Sequence, residues 1–261
     1  MLLTRFDPWK SSAVTPKLCT CPDKLTFNPY TGCDHKCVYC YASSYIPNFF
    51  HCRPKKDLIR LLEKEARNLK GEIVSISNSS DPYPTMEKEL GLTRKCLEIL
   101  SRQNCKIQII TKSNLVARDI DLLKRTNSMV AISLTTENDE VSRKLEPKAP
   151  LSSARIKAVE TLTQREIAVC VRIDPLIPFL NDNPNKLIRT LASIGVKHIT
   201  GSTYKVKTDN WRRFRAVFPG IAKQLEPLYF ERGERMRGYR YLPREIRYSL
   251  MRKVKELTEQ N

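Results

Sequence analysis

The sequence predicts an α/β fold with a parallel sheet. Three observations carry this: six short β-rich apolar runs, stretches of helical period between them, and recurrence of the strand–helix unit at roughly 30-residue spacing. The expected strands are residues 24–28, 72–77, 106–111, 128–134, 166–173 and 196–201. Leu58, Leu62, Ala66 and Leu69 repeat at helical spacing and form one apolar stripe after the first strand. Residues 92–103, 117–125 and 152–165 read the same way, the last opening on Ser152 and Ser153, whose hydroxyls suit an N-cap. Asn183 before Pro184 starts another helix, and Gly195 suits its stop. Residues 243–260 form a final helix. Alternation of this kind predicts right-handed crossovers.

Composition bounds the organisation. The chain has 261 residues, with 46 Lys and Arg against 28 Asp and Glu, a net charge of +18. That length suits one large domain or two small ones. The expected division is an N-terminal segment 1–23, a strand–helix body 24–203, and a basic, aromatic-rich extension 204–261. Between residues 205 and 255, 15 basic residues stand against 5 acidic ones, so most of the excess charge lies there. Such a charge favours a polyanionic partner, because each cation placed on a phosphate releases a condensed counterion. The alternative is a basic surface kept for solubility. Scarce Gly (8) and aperiodic Pro (16) exclude collagen-like and linker proteins. No apolar run approaches the roughly 18 residues of a membrane span. Arg, Asp and Pro come too early in residues 1–10 for a signal peptide, so a cytoplasmic location is expected.

Nine cysteines, an odd number without a secretion signal, argue for metal or redox chemistry over a disulfide framework. Cys33, Cys37 and Cys40 form C-x3-C-x2-C within residues 28–42. Three thiolates on one loop can hold one metal centre. A cubane iron–sulfur cluster has four irons, so three cysteines leave one open; a structural zinc needs a fourth ligand, for which Cys19, Cys21 or His35 stand near.

The triad, with an aromatic before its last cysteine, resembles the cluster loop of radical S-adenosylmethionine (SAM) enzymes. Residues 79–83 (Ser-Ser-Asp-Pro-Tyr), Thr111-Lys-Ser113, Arg118-Asp119, Ser133-Leu-Thr-Thr136, Leu145-Glu-Pro-Lys-Ala-Pro150 and Pro175-Leu-Ile-Pro178 extend the likeness. Together they resemble the spore photoproduct lyase-like, "DNA repair photolyase" branch over residues 15–250. The resemblance implies a partial (βα)6 barrel of TIM type, a [4Fe-4S] cluster on Cys33, Cys37 and Cys40, and SAM on the open iron. It further implies reductive cleavage of SAM to a 5′-deoxyadenosyl radical, with ferredoxin or flavodoxin as electron donor. Tyr39 is similar to the aromatic near the adenine, Ser79 and Lys112 to holders of the SAM carboxylate, and Ser133 to a ribose contact. Without the resemblance, Ser79 and Ser133 read as helix caps and Lys112 as a solvated cation.

One departure bears on the reaction. Spore photoproduct lyases carry a hydrogen-donating cysteine shortly before Ser-Asp-Pro; Asn78 stands there in this chain, and an amide cannot donate hydrogen as a thiol does. Cys96, Cys105 and Cys170 lie within regular elements and read as packing cysteines; Cys52, in a loop, is the best spare thiol. Tyr41 and Tyr83 are candidate radical carriers, and Asp81 a candidate catalytic carboxylate. Glu137, Glu146, Arg172 and Asp174, near strand ends, are candidate substrate contacts. Trp211-Arg-Arg-Phe-Arg215 and Arg237-Gly-Tyr-Arg-Tyr241 combine cations with stacking rings, a composition suited to nucleic acid, DNA or RNA. The competing reading makes these rings core. Three functions are thus carried forward: a radical SAM enzyme on nucleic acid, one modifying RNA, a protein or a small molecule, and a zinc-binding nucleic-acid module.

Overall fold

The computed structural model describes residues 1–5 and 22–261. Its strands are β1 (Thr4–Arg5), β2 (Leu25–Phe27), β3 (Tyr30–Thr31), β4 (Arg53–Pro54), β5 (Ile73–Ile76), β6 (Lys106–Thr111), β7 (Asn127–Ser133), β8 (Ala168–Leu176), β9 (His198–Thr203), β10 (Glu234–Met236) and β11 (Tyr239–Tyr241). Its helices are α1 (Leu58–Ala66), α2 (Glu87–Leu90), α3 (Leu92–Leu100), α4 (Ile120–Leu123), α5 (Asp139–Leu145), α6 (Ser152–Gln164), α7 (Asn185–Ser193), α8 (Thr208–Val217), α9 (Pro219–Phe230) and α10 (Arg244–Glu259).

The main sheet runs β1-β2-β5-β6-β7-β8-β9, and every pairing from β2 to β9 is parallel. Parallel neighbours in chain order are what successive βα units produce, and this is the layout of a partial barrel. All six expected strands are present. β8 runs three residues beyond its expected end, carrying Asp174 and Pro175 to the barrel mouth through a register shift between Ile173 and Leu176. The shift accommodates a proline that lacks a ladder donor. β1, within the expected N-terminal segment, adds an antiparallel edge, with Thr4 opposite Thr26.

Alternation along the strands sorts the residues. Val74, Ile76, Ile107, Ile109, Val130, Ile132, Val171 and Ile173 pack against the helices, where Leu58, Leu62 and Ala66 of α1 meet them in one core. The opposite strand face is polar: Lys24 Nζ (2.8 Å) and Ser75 Oγ (3.1 Å) both donate to Gln108 Oε1. The helix expected over 117–125 is shorter. Ser113 Oγ accepts from Leu115 N at 3.3 Å and opens a 3-10 turn over Asn114–Asp119 that delays α4. Helices α2, α5, α8 and α9 and the hairpins β3–β4 and β10–β11 carried no expected counterpart.

The extension does not present its rings as expected. Trp211, Phe214 and Tyr241 are buried, and Trp211 stacks on Phe214 with 6.1 Å between ring centres. With Tyr204, Leu225 and Tyr229, Trp211 and Phe214 share one buried cluster with Val38 and Tyr39 of the cysteine loop. An apolar loop at an open barrel edge must be covered, and these rings are what covers it. Among the exposed residues of this stretch are Arg212, Arg215, Arg232, Arg235 and Arg237 and the rings of Phe230 and Tyr248. Among the described residues no helix is long and apolar enough to cross a membrane. Phe214→Ala is expected to lower unfolding free energy by about 3–5 kcal/mol. Tyr248→Ala, at a ring 58% exposed, is expected to change it by no more than about 0.5 kcal/mol. Urea melts of the two variants check the contrast.

Candidate functional site

The cysteine loop leaves β3 and returns to β4. Its entry turns on Gly32, at φ +81°, where a Cβ would sit 2.4 Å from the Phe49 carbonyl oxygen. Only glycine lets the two arms of the loop approach so closely. Cys33 N donates to that same carbonyl at 2.7 Å. The three thiols then line one wall of a cavity at the C-terminal ends of the strands, where barrel active sites lie. The cavity encloses about 910 Å³ including its solvent-open mouth.

Most residues singled out in the sequence converge here. Cys33, Cys37, Cys40, Tyr39, Tyr41, Asn78, Ser79, Asp81, Lys112, Ser133, Arg172 and Asp174 all line the cavity. Tyr83, Glu137 and Glu146, also expected at the site, are not among the residues that line it. Tyr83 is buried with its hydroxyl on Asp119 Oδ2 (3.1 Å), drawn into a pair network with Arg94 and Arg118. Glu137 is half-buried in the turn between β7 and α5, away from the wall. Glu146 is fully buried behind the loop, accepting from the Tyr39 hydroxyl and from Arg155 Nη2. Burial raises its carboxyl, but the charges of Arg155 and Lys112 outweigh this and hold it below the ordinary range.

Asp81 lines the cavity with both oxygens engaged. Oδ1 accepts from Thr111 Oγ1 (2.7 Å) and Tyr83 N (2.9 Å), and Oδ2 from Lys112 N (2.7 Å). The carboxylate therefore ties the loop after β5 to the end of β6 and orients Lys112, whose Nζ lies 5.6 Å from the centre of the Tyr39 ring. Burial opposes the charge of Lys112, yet Cys37 and Glu146 nearby keep it protonated. Across the mouth, Asp174 takes Arg172 Nη2 at 2.8 Å and Ser202 Oγ at 2.6 Å. Tyr41 meets Tyr239 edge-on at 5.6 Å, with Lys205 Nζ 5.7 Å above the Tyr41 ring and Lys207 Nζ 4.4 Å above that of Tyr239. His35, named as a possible zinc ligand, and Thr111 of the Thr-Lys-Ser motif also line the cavity, as do Ser77 and Lys205, which were not singled out. For Lys205 the basic run itself was the signal, and Ser77 opens the 77–81 stretch at the end of the second expected strand.

Burial pushes the Cys37 thiol up to about 12 and raises Cys33 and Cys40 as well, so a metal must displace protons on binding. Among the described residues no group of three or more His, Cys, Asp or Glu side chains is gathered as a single ion requires. His35 Nδ1 faces Asp81 Oδ2 at 3.6 Å and makes no hydrogen bond. Cys19 and Cys21 lie outside the described residues. Cys52 is buried beside the cavity without lining it, its thiol pushed up to about 12 by burial, and Cys96 and Cys170 are core. Three thiols on one cavity wall, free of disulfides, suit a multinuclear cluster with one open metal better than a closed four-ligand zinc site.

A parallel partial barrel with three cysteines of one loop over its C-terminal mouth is the architecture of a cofactor-dependent enzyme. The chain belongs to the radical SAM superfamily, whose profile matches residues 27–202. It is 34% identical over 167 residues to an uncharacterized protein of Methanocaldococcus jannaschii, covering 61% of this chain and 62% of that one. It is 25% identical over 188 residues to the radical SAM Nalpha-GlyT isomerase of Pseudomonas phage M6, covering 68% of this chain but 38% of the isomerase. The chain thus spans under two thirds of these relatives' lengths. Among solved structures it is similar to spore photoproduct lyase complexed with dinucleoside spore photoproduct, at TM-score 0.69 and 16% identity over 97% of this chain and 76% of the lyase. Arg155→Met, which leaves Glu146 buried and unpaired, is expected to cost about 3–5 kcal/mol in a denaturant melt. The double variant Arg155→Met/Glu146→Leu is expected to cost less than that single change.

Proposed function

We propose that this chain is a radical SAM enzyme that uses a [4Fe-4S] cluster on Cys33, Cys37 and Cys40 and acts on nucleic acid. The observation that carries the reading is the convergence of these thiols with Tyr39, Ser79, Lys112 and Ser133 on one cavity. When bound, the cluster supplies the electron, received from a donor such as ferredoxin or flavodoxin, that splits the S–C5′ bond of SAM to give a hydrogen-abstracting 5′-deoxyadenosyl radical. The remaining work belongs to the protein. The Lys112 ammonium, aimed by Asp81, holds the SAM carboxylate, aided by the Ser79 hydroxyl. Tyr39 packs by the adenine and Ser133 meets the ribose. Ala42, Phe49 and Ile110 make the apolar part of the wall that keeps water from a reactive radical.

Nucleic acid as substrate is supported by the mouth. Tyr41 and Tyr239 offer ring faces, Lys205 and Lys207 offer phosphate contacts, and exposed arginines of the extension continue the charge. It is supported too by the lyase neighbours, solved with a dinucleoside photoproduct. Arg172 and Asp174 then face the substrate. One observation favours a reaction other than photoproduct reversal. Among the described residues no thiol lines the cavity besides the three of the triad, and Asn78 occupies the donor position. A substrate radical would therefore need another hydrogen source, for which the Tyr41 hydroxyl lines the cavity, and modification of RNA, a protein or a small molecule is the second reading.

Anaerobically reconstituted protein is expected to hold iron and sulfide and, once reduced by dithionite, to give an electron paramagnetic resonance signal that SAM alters. Zinc in place of iron under the same handling would overturn the reading. Alanine at Cys33, Cys37 or Cys40 is expected to abolish the signal, whereas Cys52→Ala and Cys96→Ala keep it. Binding to single-stranded oligonucleotides is expected to weaken steeply with salt. The double variant Lys205→Gln/Lys207→Gln should flatten the log–log slope by about 0.7 per lost phosphate contact. A salt-independent or absent affinity would move the substrate to the second reading.

A further inference from the structure

The extension grips the cysteine loop by its backbone. On α8, Asn210 Nδ2 donates to the Tyr39 carbonyl at 3.0 Å, and Arg213 Nη2 donates to the Cys40 carbonyl at 2.8 Å. Both groups are themselves oriented. Asn210 is fully buried, and its Oδ1 accepts from Lys207 N (2.9 Å) and Tyr204 Oη (3.1 Å), which turns the amide nitrogen toward the loop. Arg213 donates to Asp209 Oδ2 (3.1 Å) and Ser43 Oγ (2.8 Å), and its guanidinium lies 5.1 Å from the centre of the Phe50 ring. Asp209 in turn meets Ser43 Oγ at 2.6 Å and also takes Ser44. Two successive carbonyls beside the third thiol are thus held by fixed donors from a helix more than 160 residues downstream in sequence.

Hydrogen bonds and net charge around a thiolate-bound cluster set its reduction potential, and the groups behind the ligands orient them. We infer that α8 is part of the metal-holding apparatus: Asn210 and Arg213 are positioning residues for Cys40, and Arg213 adds a fixed positive charge that favours an added electron at the site. The inference rests on the proposed cluster. Asp209 offsets part of that charge and Lys112 adds a second cation, so removing the guanidinium alone leaves an uncompensated carboxylate beside the loop. Both effects act in the same direction, against reduction.

The test compares the wild-type chain with Arg213→Gln and Arg213→Lys, each reconstituted anaerobically without substrate. Iron and sulfide per chain, the rate of iron loss to a chelator, and the midpoint potential by spectroscopic titration are read, with circular dichroism as a check on folding. Arg213→Gln is expected to shift the one-electron equilibrium about tenfold against reduction, about 59 mV, and to lose iron faster. Arg213→Lys keeps the charge but not the fork, so its potential stays near wild type while iron loss is still faster. Failure of a folded Arg213→Gln chain to retain iron at all supports the positioning role directly. Wild-type potential and wild-type iron loss in Arg213→Gln overturn the inference. A wild-type chain that takes up no iron and sulfide overturns the cluster reading instead.

Discussion

A carboxylate taken out of water costs several kcal/mol unless its oxygens are met by donors, and Glu146 is buried with Arg155 on one oxygen and the Tyr39 hydroxyl on the other. Arg155 is equally buried, and its remaining donors reach the carbonyls of Ser133 (2.9 Å) and Pro150 (2.7 Å) and the Ser142 hydroxyl (3.2 Å). One ion pair therefore joins the end of β7, helices α5 and α6, and the middle of the cysteine loop. The backbone repeats the connection, since Val38 N donates to the Leu145 carbonyl at 2.9 Å and Lys148 N to that of His35 at 3.1 Å. Such a pair is a poor source of net stability against an apolar equivalent, but it admits only one arrangement of the loop. The positions of Cys37 and Cys40 on either side of Tyr39 depend on it.

Opposite this pair, Asp81 performs the same service for the strand ends. Its two oxygens collect donors from the loop after β5 and from the end of β6, with His35 of the cysteine loop close by. Lys112 follows directly from this arrangement, because its amide is one of the donors. The cavity is thus bounded by pieces of backbone far apart in sequence, among them the cysteine loop, the β5 and β6 ends tied by Asp81, the ends of β7 and β8 at Ser133, Arg172 and Asp174, and Tyr204 and Lys205 at the start of the extension, whose α8 holds the carbonyls of Tyr39 and Cys40. The extension consequently acts first as the cover of the cysteine loop, with Lys205 at the cavity and Tyr239, Lys207 and the exposed arginines beyond it.

The strands were legible because their apolar residues alternate and their lengths are sufficient, and β6 has the expected bounds. Helices α5 and α8 were not, since short elements with polar faces give little period, and the paired β3–β4 and β10–β11 ladders are too brief to alternate at all. In the site, what was legible is position: every residue from Cys33 to Ser133 that the resemblance matches to the cluster or SAM lines the cavity. The ion pair of Glu146 was not legible for a physical reason: its partner Arg155 sits nine residues away on α6, and no local pattern joins the two until the helix folds over the loop.

Local chemistry within the sequence determined the order of strands and helices, the three-thiol loop and the excess of positive charge, because periodicity, spacing and composition are properties of neighbours along the chain. Tertiary structure alone decided which polar residues face the cavity and which are consumed in pairs behind it. It also decided that Trp211, Phe214 and Tyr241 are core while Tyr41 and Tyr239 remain at the mouth. Whether a ring or a carboxylate is buried depends on surfaces contributed by segments more than a hundred residues apart, and no local pattern encodes that encounter.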